Sequence, residues 1–130
     1  MERLETVYLL IAGAVALLIG SGMVIMPATF YGSYGIDPSG SVDLANELRS
    51  PGFWLVLAGF AIGLGTFRRD IRHVSLGIAA ALYLSYAAAR GVSIVADGLP
   101  GPGLLIAMAS EVLLGIGGTL LFWRQRSTAR

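Results

Sequence analysis

The chain has 130 residues, of which 55% are hydrophobic and 13% charged, and its net charge is +1. Those values leave too little polar surface for a water-soluble domain of this size, too much apolar content for a disordered chain, and no broad basic face for nucleic acid. Cysteine is absent and His73 is the single histidine, which excludes a disulfide, a thiolate centre and a multi-histidine metal or haem site within one chain; no metal and no cofactor is expected.

The first apolar run, Val7 to Phe30, contains no charge. It predicts a helix over about 6–29 that bends or ends near Pro27. The leading Met1-Glu2-Arg3-Leu4-Glu5 is net acidic. The run also exceeds the roughly 7–15 apolar residues of a secretory signal core, so it is expected to be a retained membrane helix. A polar connector follows, with Asp37, Asp43, Glu47 and Arg49.

The second run, Pro51 to Phe67, is short for a span. Its helix is expected to begin earlier, over 42–67, with Ser41 as N-cap and Pro51 inside. The charged turn Arg68-Arg69-Asp70-Ile71-Arg72 ends it. A third helix over 72–96 carries Arg90, and Asp97-Gly98-Leu99-Pro100-Gly101-Pro102-Gly103 breaks the chain again. A fourth helix over 102–124 carries Glu111. Each run is near the roughly 20 residues that cross a bilayer, and continuous rather than alternating apolarity favours helices over barrel strands. The expected fold is all-α: one transmembrane domain over 1–130, an antiparallel four-helix membrane bundle.

Orientation follows from arginine placement, since all nine basic residues are Arg. With both termini cytoplasmic, Arg3, Arg68, Arg69, Arg72, Arg124, Arg126 and Arg130 lie inside, and Arg49 and Arg90 outside. Gly59 and Gly63 form a GxxxG pair; Gly77, Ala81, Ser85 and Ala89 form a small-residue stripe, as do Ala107, Glu111, Gly115 and Thr119. These faces are expected to pack within the chain, with a homodimer face as the alternative. His73 reads as an interfacial side chain, and the Arg68-Arg69-x-x-Arg72 run as a topology determinant touching anionic lipid.

Glu111 carries the most information, because a carboxylate exposed to hydrocarbon costs at least about 2.5 kcal/mol. Arg90, about two turns from the end of the preceding helix, is its natural mate, and Tyr83 and Tyr86 share a face with it by helical spacing. The pair serves either to fix helix register or to bind a polar head group, a proton or a small molecule. A wider reading joins Glu47, Arg49, Tyr83, Tyr86, Arg90, Asp97 and Glu111 in one outward-opening polar pocket. Its bland counterpart leaves Glu47 on a solvated helix end favoured by the helix dipole.

The order of Gly20-Ser21-Gly22 with Pro27, Ala45-Asn46-Glu47-Leu48-Arg49-Ser50, Arg90, Asp97-Gly98-Leu99-Pro100 and Glu111 resembles an uncharacterised family of four-helix bacterial membrane proteins, a domain-of-unknown-function family similar to the DoxX/DoxD group. The resemblance covers about residues 5–123. It implies a bacterial inner-membrane protein and, through a DoxD-type thiosulfate:quinone oxidoreductase, Glu47, Arg49, Arg90 and Glu111 as quinone or anion contacts. The chain itself holds no cysteine or cofactor ligand set for redox chemistry. Three functions are open. The favoured one is a non-catalytic accessory or lipid- or small-molecule-binding module; the others are a membrane subunit of a quinone-linked oxidoreductase and a small proton-coupled transporter. Membrane lipid is an expected partner, and a protein partner or a second copy stays open.

Overall fold

In the computed structural model the backbone is described over residues 2–128 and the side chains over residues 2–125. Arg130 and the side chain of Arg126 therefore lie outside the described part. The elements are α1 (Glu2–Ile25), a short α2 (Pro27–Gly32), α3 (Val42–Phe67), a 3-10 turn (Arg69–Ile71), α4 (Arg72–Asp97) and α5 (Pro102–Thr128). Four of the helices are long and apolar enough to cross a membrane. At 1.5 Å per residue, the 24 residues of α1 reach about 36 Å, against a hydrocarbon core of about 30 Å.

Local chemistry sets the breaks. The sequence places a helix over 6–29 that bends or ends near Pro27, and the structure divides it at Met26, whose backbone leaves the helical region (φ −130°, ψ 58°). Pro27 has no N–H for the ladder of α1 but suits the first turn of a new helix, and α2 starts there. Gly35 then takes φ 78°, a left-handed turn open to glycine. Asp37 accepts hydrogen bonds from the amide and the hydroxyl of Ser39, which hold its carboxyl below the usual carboxylate range. The Ser41 hydroxyl accepts from the Leu44 amide at 3.2 Å and caps α3, which runs on through Pro51. Gly98, at φ 96°, ends α4, and Pro102 opens α5.

Helices α1 and α3 pack along most of their length through glycine. A Cβ on Gly20 would lie 2.7 Å from the Gly52 carbonyl oxygen, and one on Gly13 would lie 3.0 Å from the Gly63 nitrogen and 3.1 Å from the Gly59 oxygen. Of the GxxxG pair, Gly59 thus faces α1 of the same chain, while Gly63 meets it only through its backbone at Gly13. Between α4 and α5, Gly115 meets Leu84 and Gly77 meets Phe122, again in antiparallel register. Helices α3 and α4 join these two pairs, with Gly65 against Ser75. The buried core is rich in small residues, including Ala12, Ala16, Ala58 and Ala79 beside Leu9, Ile62 and Leu76. Close backbone approach and dispersion hold such a core in lipid, where burying apolar surface between helices gains little over the acyl chains.

The bundle has two ends. One, here the terminal end, carries the start of α1, the α3–α4 turn and the late part of α5. The other, the connector end, carries α2, the segment before α3 and the α4–α5 loop. At the terminal end α1 reaches α5 directly: the Tyr8 hydroxyl donates to the Leu114 carbonyl at 2.7 Å, and Gln125 donates to Glu5. Toward the connector end a cavity lies between these two helices.

Candidate functional site

Arg90 and Glu111 stand on α4 and α5 at similar distances from the loop that joins them. Antiparallel packing brings them together. Arg90 donates through Nε to both carboxylate oxygens, at 3.0 and 2.8 Å, and through Nη2 to Oε1 at 2.9 Å. This is a bidentate fork, the strongest hydrogen-bonded form of an ion pair. The Arg90 side chain is 27% exposed and that of Glu111 is 11% exposed. Arg90 Nη1 has no partner among the described residues.

The pair forms part of the wall of a cavity of about 410 Å³. Apolar side chains from four helices line it: Val15, Ile19 and Met23 of α1, Leu55 of α3, Leu82 of α4 and Leu104 of α5. Phe30 and Tyr31 of α2 and Tyr34 just beyond it close one side. These aromatics hold one another edge to face, with ring centroids 5.2 Å apart for Phe30–Tyr31 and 5.6 Å for Phe30–Tyr34. The Tyr31 hydroxyl donates to the Leu48 carbonyl at 2.9 Å and ties α2 to α3. Burial, with Tyr86 nearby, pushes the Tyr31 phenol above its ordinary value. Tyr86, Ser93 and Ser110 complete the polar part of the wall beside Arg90 and Glu111.

The seven residues proposed from sequence divide sharply. Tyr83, Tyr86, Arg90 and Glu111 line the cavity. Tyr83 does so with its ring alone, since its hydroxyl donates to the Ala12 carbonyl of α1 at 2.5 Å. The face that Tyr83 and Tyr86 share with Arg90 therefore loses the Tyr83 hydroxyl, which finds a helix carbonyl with a spare lone pair. Tyr86 and Tyr34 are electrostatic neighbours of Arg90, and neither hydroxyl has a hydrogen-bond partner among the described residues.

Glu47, Arg49 and Asp97 are exposed and do not line the cavity, which corrects the wider pocket. Arg49 turns to α1 instead. Its Nε donates to the Val24 carbonyl at 3.2 Å, satisfying one of the acceptors left open in the last turn of that helix. Asp97 is the last residue of α4, and Glu47 lies in the second turn of α3. Sequence reasoning left out Tyr34 and Ser93. Phe30, Tyr31 and Tyr34 carry a visible signal, an aromatic cluster just after Pro27, but it reads equally as an interfacial belt.

A second buried charge cluster occupies the terminal end. Glu5 and Arg72 have side chains only 10% and 7% exposed. Gln125 donates to Glu5 Oε2 at 2.8 Å, and Arg72 Nη1 lies 3.9 Å from the same oxygen. Arg72 also donates through Nε to the Gly65 carbonyl at 3.0 Å and through Nη2 to that of Thr66 at 3.3 Å, capping α3. Its neighbours Arg68 and Arg69 pair with Asp70 and Glu2 on the surface. Among the described residues no group of His, Cys, Asp or Glu is placed to hold a metal ion.

Four long apolar helices around an internal ion pair define a small multi-pass helical membrane protein. The chain belongs to the family described as "Domain of unknown function (DUF4345)", whose model matches residues 4–123. No curated protein and no solved structure matches it. None of these comparisons connects it with the DoxX/DoxD group.

Proposed function

We propose that this protein is a non-catalytic binding module of a bacterial inner membrane, holding a lipid or other small amphiphile in the cavity beside Arg90 and Glu111. One observation carries the reading: a cavity of about 410 Å³, within the usual range of small-molecule sites, is apolar over most of its wall and has the Arg90–Glu111 pair at one edge. With both termini on the cytoplasmic side, as arginine placement favours, this end of the bundle faces outward. Membrane lipid is then both the solvent and a candidate ligand; a protein partner would make the module an accessory subunit.

The alternatives have less support. A proton-coupled transporter needs a carboxylate free to exchange its proton, and Glu111 is held by three hydrogen bonds from Arg90. A quinone-linked oxidoreductase subunit rests on the DoxX/DoxD resemblance, and its quinone would occupy the same cavity as a ligand. Native mass spectrometry of the protein carried from its own membranes into nanodiscs tests the proposal. The expected result is a stoichiometric small molecule on the wild type that is lost in Arg90→Ala. A wild-type protein without adduct would defeat the proposal.

A further inference from the structure

We infer that the cavity's occupant is an uncharged amphiphile whose head presents carbonyl-type acceptor oxygens, and that Glu111 sets this preference by keeping Arg90 neutralised. The inference rests on the binding reading above and adds the chemical class of the ligand.

Charge is the first argument. Arg90 and Glu111 are the charged residues among those that line the cavity, and they cancel. An anionic head could reach the guanidinium fully only by displacing a carboxylate that accepts three hydrogen bonds from it. That would strand Glu111, which is 9% exposed, as an unpaired charge. A cationic head would strand Arg90 in the same way. A neutral head enters with the pair intact.

The hydrogen-bond donors of the wall point the same way. Arg90 Nη1 and the hydroxyls of Tyr34 and Tyr86 are without partners among the described residues. The other hydroxyl hydrogens in this wall are largely committed: Tyr31 donates to Leu48, Tyr83 to Ala12 and Ser110 to Ala107. Arginine offers donors only, and two of its N–H groups, on Nε and Nη2, are taken by the Glu111 oxygens. The wall thus has donors to spare, and a carbonyl oxygen, which only accepts, is their natural complement. Ile19, Met23, Leu55 and Leu82 supply an apolar surface for a ring or acyl chain. Two sources share this chemistry, a quinone ring and the ester of a neutral glycerolipid.

Saturation binding in phosphatidylcholine nanodiscs, with three probes that each carry a ten-carbon chain, tests it. The probes are a decyl benzoquinone, monodecanoylglycerol and decyl sulfate. At least one neutral probe should bind the wild type about tenfold more tightly than decyl sulfate. The tighter neutral probe identifies the source as quinone or glycerolipid. Glu111→Gln leaves Arg90 cationic and unpaired, so it should lower the preference for that neutral probe by about tenfold, chiefly through a gain for decyl sulfate. A purely structural role for Glu111 would weaken all three probes alike. Should Glu111→Gln fail to fold, Tyr86→Phe is expected to weaken the neutral probe about fivefold through loss of one hydrogen bond. Tightest wild-type binding of decyl sulfate would overturn the inference while leaving the binding module in place. If no probe saturates and the cavity-filling Ala107→Phe behaves as the wild type does, the binding reading itself falls.

Discussion

Among the described residues, two arginine–glutamate pairs lie inside this bundle, near opposite ends, and they are built differently. At the terminal end Arg72 commits all three of its nitrogens: two to the last carbonyls of α3 and one toward Glu5. Gln125 closes over the carboxylate. Near the connector end Arg90 commits two nitrogens to one carboxylate, and a third remains beside a cavity. The same pair of residue types thus serves as a clasp where protein groups surround it and as part of a binding wall where they do not. The surroundings, more than the pair, mark a site.

The largest expected effect is at the clasp. Arg72→Ala leaves Glu5 buried without its countercharge and uncaps α3, so it should cost about 3–5 kcal/mol of stability in a detergent unfolding titration. Arg90→Ala should cost less, about 1–3 kcal/mol, because its side chain is 27% exposed and water can enter beside Glu111. Equal losses in the two variants would erase the distinction between the ends. The two tyrosines one turn apart on α4 sharpen it further. Tyr83→Phe removes a hydrogen bond to the Ala12 carbonyl and should cost about 0.5–1.5 kcal/mol. Tyr86→Phe removes a hydroxyl without a partner among the described residues and should stay within about 0.5 kcal/mol of wild type while loosening the bound molecule.

The same contrast explains what could be read from sequence. Long continuous apolar runs cut by charged turns make the all-α bundle of four spans legible, because a bilayer dictates both length and backbone hydrogen bonding. Arg90 and Glu111 are conspicuous for the same reason: each is a charge within an apolar stretch. Glu5 and Arg72 sit at span ends, where charges usually meet water, so nothing local separates a buried clasp from a solvated helix end. Arg49 looks like a pocket residue and proves to cap α1, because an open carbonyl on another helix leaves no mark on its own sequence neighbours. The Tyr83 hydroxyl is misjudged on similar grounds. Helical spacing gives the face a side chain occupies, but not which neighbouring helix its tip reaches.

The central claim is that the ion pair near the connector end borders accessible space while the terminal-end pair sits in packed protein. The absence of native cysteine allows a direct test, in which single Ser93→Cys and Ser75→Cys variants in nanodiscs are exposed to a water-soluble maleimide. Ser93 lines the cavity, whereas Ser75 is 1% exposed and donates to the Ala61 carbonyl. Ser93→Cys is expected to be labelled, more slowly when the preferred neutral probe is present, and Ser75→Cys to stay inert. A Ser93→Cys variant as unreactive as Ser75→Cys would contradict the claim.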